Sequence, residues 1–182
     1  ALILRECDVN LTVHVGGMVD FLGGGVAIGD YPALLTEACE YVRSFLKLSP
    51  THVLINNIDD DHLDYYKNID EITDTFAQFT ALLPESGVLF ANVHDPLVMQ
   101  VAKNSGRKTV TYGMENADYM ATDVTYDDMG CPVFNVVSPS GKAKVALSVV
   151  GRHNMMNALA AITVCSEIFG IKLKDAAKAL KK

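Results

Sequence analysis

The sequence contains no Gly-Lys-Ser or Gly-Lys-Thr; its one Gly-Lys pair, Gly141-Lys142, runs into Ala143. A Walker-type phosphate loop is therefore not among these residues. The glycines between Gly16 and Gly29 do not substitute for it. They are not placed strand–glycines–helix, and they read as a flexible loop. Cysteine is sparse. Cys7, Cys39, Cys131 and Cys165 form no C-x-x-C pair and no zinc-type spacing, and a chain of this size needs no disulfide staple. They read as thiols of a reducing, cytoplasmic compartment. Basic side chains are outnumbered 15 to 22, for a net charge of −7 and a pI near 5.1, which argues against a nucleic-acid groove. No apolar run approaches the roughly 18–20 residues that cross a bilayer; Met155–Cys165 is broken by Asn157 and Thr163. Four apolar residues followed by Arg5, Glu6, Cys7 and Asp8 do not make a signal peptide. What is present is 182 residues, 49% hydrophobic and 20% charged, enough for one domain over residues 1–182 with a substantial core.

Strand and helix signals alternate. Short strands are predicted at Leu11–Val15 and Ala33–Thr36, and a longer apolar one at His52–Ile58, the texture of a strand buried on both faces of a parallel sheet. Ile69, Ile72, Phe76, Phe79 and Leu83 recur at helical steps and stop before Pro84. Val88–Val93 is a buried strand, Asp95-Pro96 opens a helix running to Ser105, and Lys108–Tyr112 is a further strand. Beyond Asp118 the chain is β-rich over 118–126, 132–138 and 142–149, with a hairpin turn at 138–141. Asn154–Phe169 reads as a helix closed by Gly170, and 172–182 as a basic amphipathic helix. The expected fold is α/β: a mostly parallel sheet flanked by helices, with an antiparallel β appendage. Residues 1–7 read as the last turns of a helix, and 172–182 stop without a cap, so the chain is expected to be a piece of a longer one.

Three clusters could carry chemistry. Asp59, Asp60, Asp61 and His62 follow the buried strand directly, where open parallel sheets bind ligands. Carboxylates suit Mg²⁺, and an imidazole among them admits Mn²⁺ as the alternative ion. A solvated acidic loop capping the next helix explains the same residues. Glu37 and Glu40 stand at the end of the preceding strand, where strand ends could bring them to His62; equally, they could complement a helix dipole. Asn154 and Asn157 share one helix face, and their amides can both donate and accept, as reading an adenine edge requires. Alternatively Asn154 caps the helix and Asn157 is incidental.

The four segments E-A-C-E at 37–40, S-F-L-K-L-S-P at 44–50, N-I-D-D-D-H-L-D at 57–64 and G-R-H-N-M-M-N-A-L-A-A at 151–161 together resemble the central ATP-binding domain of the Mur ligases. The resemblance extends from about Thr12 to Lys182. It implies that Glu37 and His62 are catalytic and hold Mg²⁺, and that His153, Asn154 and Asn157 lie at the adenine of ATP. It also implies an amide-forming reaction of peptidoglycan synthesis that passes through an acyl phosphate. Family branches that add later residues carry a carbamylated lysine where this chain has Phe76. That favours the branch joining L-alanine to UDP-N-acetylmuramate, or its peptide-recycling relative. Cys39 and Tyr41 depart from the family's E-A-D-E-S.

The resemblance further implies a phosphate loop, a UDP-sugar domain and a C-terminal domain outside these residues. The chain alone is then expected to be inactive, and sheet edges left unpaired are expected to drive self-association or local strand rearrangement. A metal-dependent phosphohydrolase using Asp59–His62, or a non-catalytic interaction module with a nucleotide fold, would account for fewer of the motifs.

Overall fold

The computed structural model describes residues 1–181; Lys182, the end of the last predicted helix, lies outside them. Six strands form the principal sheet in the order β4 (His52–Ile55), β5 (Val88–Asn92), β6 (Lys108–Gly113), β7 (Tyr119–Tyr126), β8 (Pro132–Ser138) and β9 (Gly141–Ala146), the labels counting strands along the chain. Neighbours from β4 to β7 pair in parallel, and β7, β8 and β9 pair antiparallel. This is the expected α/β arrangement, with the antiparallel hairpins continuing the same sheet.

The alternation of β5 shows how the sheet is buried. Leu89 and Ala91 pack with Ile72, Phe79, Val98 and Val101 of α2 (Ile69–Ala81) and α3 (Pro96–Ser105). Val88 and Phe90 face the other way, among Met155, Leu159 and Ile162 of α4 (Arg152–Phe169). Successive side chains of a strand point to opposite faces, so an unbroken apolar run is what helices on both faces require. The helix ends have local causes. Asn68 accepts the Glu71 N–H at 3.0 Å to cap α2, while Glu71 accepts the Lys67 N–H at 2.9 Å. Gly106 and Gly170 close α3 and α4 at positive φ. The predicted 172–182 helix is a shorter α5 (Leu173–Ala179). No helix among the described residues is long and apolar enough to cross a membrane.

The first strands depart from expectation. β1 (Leu11–Val19), β2 (Gly24–Ala27) and β3 (Tyr31–Thr36) form a separate sheet in the order β2-β1-β3, with β1 and β2 antiparallel and β1 and β3 parallel. The glycine segment is therefore largely strand and not a flexible loop: Gly16 and Gly17 lie in β1, and Gly24 and Gly25 in β2. The physical reason is close approach of backbones at an irregular register. A Cβ on Gly25, in β2, would sit 2.9 Å from the Val15 carbonyl oxygen of β1. The predicted strand at 52–58 ends at Ile55, and its remainder is loop. A short helix, α1 (Leu2–Glu6), precedes β1 and packs on α4 and α5.

β3 and β4 are edges of their respective sheets, and among the described residues neither has a partner on its outer side. The loops that follow them are nevertheless joined: the Tyr66 hydroxyl donates to the Glu40 carbonyl. The 3₁₀ segment Tyr41–Lys47 between them anchors Phe45 against Phe76 and Phe79 of α2.

Candidate functional site

The carboxyl ends of β3, β4, β5 and β6 gather the polar residues. β4 runs into Asn56, whose side-chain oxygen accepts from the Tyr112 hydroxyl at 2.8 Å and whose carbonyl accepts from Asn92 Nδ2 at 3.0 Å. Tyr112 is buried, and burial with the nearby Asp95 charge pushes its phenol well above the ordinary range, so it acts as a fixed donor. Beyond Ile58 the acidic loop turns outward. Asp59 and Asp61 each accept the N–H of the following residue, at 2.9 and 2.7 Å. His62 sits at φ 55°, a left-handed conformation that a non-glycine residue adopts at some cost.

His62 Nε2 lies 3.4 Å from Glu40 Oε1, and its Nδ1 lies 3.7 Å from Asp61 Oδ1. One ligand atom from each of Glu40, Asp61 and His62 falls within 4.8 Å of the others. Two carboxylates and an imidazole so placed fit a hard divalent cation with one nitrogen donor. Beside them is a cleft of about 80 Å³ lined by Glu40, Asn57, Ile58, Asp59, Asp61, Ile72 and Phe76. The Tyr41 ring packs 4.8 Å from the His62 ring, and its hydroxyl donates to Asp64 Oδ2 at 3.0 Å. That bond to a carboxylate raises the Tyr41 phenol above its ordinary pKa.

Of the two glutamates read from the sequence, Glu40 is brought to His62. Glu37 is not in that cluster: its Oε2 accepts the Gly16 N–H at 2.7 Å, across from β1. Asp60 is exposed and outside the group. At the start of α4, Asn154 and Asn157 lie one turn apart. Asn154 Nδ2 donates to the Val150 carbonyl at 2.8 Å, and Asn157 is exposed. His153 is exposed with its ring over Gly151. Arg152 reaches Met114 Sδ at 3.2 Å, and the Met114 N–H donates to His94 Nε2 at 2.8 Å. The α4 end is thereby tied to the loops after β6 and β5. Sequence reasoning missed Tyr41, Asn56, Asn92 and Tyr112 as parts of the site. Asp95 it read only as a helix start.

The profile of the family described as Mur ligase middle domain matches residues 34–165. The chain is 43% identical over 174 residues to a UDP-N-acetylmuramate–L-alanine ligase of Clostridium botulinum (strain Alaska E43 / Type E3), a match covering 95% of this chain and 38% of that protein. It is 42% identical over 185 residues to the enzyme of that name from Caldanaerobacter subterraneus subsp. tengcongensis, covering 100% of this chain and 40% of the relative. The chain thus spans about two fifths of the length of these relatives. Two solved structures share its fold. One is UDP-N-acetylmuramate:L-alanyl-gamma-D-glutamyl-meso-diaminopimelate ligase from Neisseria meningitides, with a TM-score of 0.85, 22% identity, and coverage of 100% of this chain and 60% of that one. The other is UDP-N-acetylmuramate-alanine ligase from Thermotoga maritima, with a TM-score of 0.81, 24% identity, and coverage of 99% and 40%.

Proposed function

The chain belongs to the Mur ligase family through its middle domain, and we propose from that premise that residues 1–182 are the nucleotide- and metal-handling domain of an ATP-dependent ligase joining L-alanine to UDP-N-acetylmuramate. The observation that carries the proposal is the grouping of Glu40, Asp61 and His62 at the carboxyl ends of the strands. These residues would hold Mg²⁺, or Mn²⁺ as the alternative ion, which when bound would neutralise phosphate charge; Glu37, held on the Gly16 N–H, would reach the ion only by leaving that bond. His153, Asn154 and Asn157 would border the adenine. Phe76 lines the cleft where branches adding later residues carry a modified lysine, which supports the alanine-adding branch or its peptide-recycling relative.

In this reading the γ-phosphoryl group of ATP passes to the substrate carboxylate, giving ADP and an acyl phosphate. The alanine amine then attacks the acyl carbon, loses a proton, and expels inorganic phosphate to leave the amide. With one His62 ring nitrogen turned to the ion, the carboxylate beside the other nitrogen would orient the ring. Because no Gly-Lys-Ser or Gly-Lys-Thr occurs in these residues, the chain by itself should release no phosphate from ATP above background with UDP-N-acetylmuramate and alanine. Release would overturn that part of the proposal.

The direct test is Mn²⁺ titration of the chain followed by electron paramagnetic resonance. One bound ion is expected, with affinity reduced about tenfold or more in His62→Ala, consistent with loss of a metal ligand. Absence of binding, or equal binding by the variant, would refute the metal assignment. The open edges of β3 and β4 support a further proposal, that copies of this chain self-associate through them. Light scattering should show mass rising with concentration, and a monomer throughout would refute it.

A further inference from the structure

Asp95 uses its two carboxylate oxygens on different elements. Oδ1 accepts the Val98 N–H at 2.8 Å and caps α3; Oδ2 accepts the Ile58 N–H at 3.1 Å, in the loop leading to the acidic cluster. We propose that Asp95 is a positioning residue for the metal site, holding the backbone at Ile58 so that Asp61 and His62 meet Glu40. The inference rests on reading those three residues as a cation site.

The geometry explains why this position takes a carboxylate. Serine or asparagine caps a helix as well as aspartate does, but each offers one side-chain acceptor where the carboxylate offers two. The second acceptor serves a loop whose own bonds, from the Asp60 and His62 N–H groups to Asp59 and Asp61, are local turns that do not tie it to the sheet. Asp59, Asp60 and Asp61 are consecutive and exposed, and their mutual repulsion favours splaying. Ahead of the acidic residues the loop is rooted in the core by the Ile58 side chain, 5% exposed, and behind them by Tyr66, 1% exposed. The Asn92 and Tyr112 bonds stop at Asn56, so Asp95 makes the last sheet-side contact before the acidic residues. The positive end of the α3 dipole lies at the same carboxylate and stabilises its charge.

The test separates capping from anchoring. Asp95→Ser keeps an acceptor for Val98 and loses the one that reaches Ile58. It should melt within a few degrees of the parent, exchange the Ile58 amide at least about tenfold faster, and bind Mn²⁺ about tenfold more weakly, the scale of an outer-sphere partner. Asp95→Asn, which keeps the shape and one acceptor, should show the same pattern, and it replaces the serine variant should that one unfold. Mn²⁺ affinity equal to the parent's in a folded variant, or unaltered Ile58 exchange, overturns the proposal. If the parent binds no Mn²⁺, the metal reading fails and the positioning claim falls with it. Faster Ile58 exchange would then leave only a structural anchor.

Discussion

β5 and β3 are equally apolar and have opposite fates. In β5, Val88, Leu89, Phe90 and Ala91 are 7%, 0%, 0% and 0% exposed. In β3, Tyr31, Pro32, Ala33 and Leu34 are all exposed, Leu34 at 59%. The difference lies in neighbours. β5 has a paired strand on each side and helices over both faces, whereas β3 pairs with β1 alone. Pro32 lacks an N–H, and the β1–β3 register slips between the Leu11–Tyr31 and Thr12–Leu34 pairs, as proline in an edge strand permits. An apolar strand specifies that it can be buried; what buries it is supplied elsewhere.

The sharpest way to break this comparison is Phe90→Ala, which empties a packed position and should cost about 3–5 kcal/mol in urea unfolding. A cost near that of a surface change would mean β5 is not packed as described. Next is the pH response of α4. Burial pushes the Cys165 thiol up to about 12 from its ordinary 9.0. The neutral thiol is thus favoured in the folded chain, and its contribution is whole below pH 9.0 and is lost as pH rises toward 12. The melting temperature of the parent should fall more steeply over that interval than that of Cys165→Ala; parallel curves would remove Cys165 as the cause. In the open region, exposed Cys39 should label with a maleimide at once, before Cys165. Asn68→Ala, which removes the α2 cap, should cost about 1 kcal/mol. Smallest of all, Leu34→Ser should change stability by no more than about 0.5 kcal/mol, and a larger loss would show that β3 is covered in solution.

Much of the packed half was legible. The Phe76, Phe79 and Leu83 periodicity, Asp95-Pro96 and the Gly170 cap are local signals, and local sterics and hydrogen bonding decide helix ends. The open half was less legible, since glycine in a strand and glycine in a loop look alike until the neighbouring backbone is known. The candidate site divides in the same way. The acidic run after β4 was readable because parallel strands bind ligands at their carboxyl ends. The choice of Glu40 over Glu37 beside His62 was not, since both are equally good carboxylates.

By itself the sequence determined the α/β class and most of the elements after the glycine segment, through periodicity and capping chemistry, while its motifs carried the family resemblance and the residue types available for a cation and a nucleotide. Only the tertiary structure decided that the first three strands form their own sheet, that Glu37 goes to Gly16 while Glu40 and Asp61 meet His62, and that Asp95 serves both α3 and Ile58. Those outcomes depend on distances between segments far apart in the chain, which are set by how the packed elements fit.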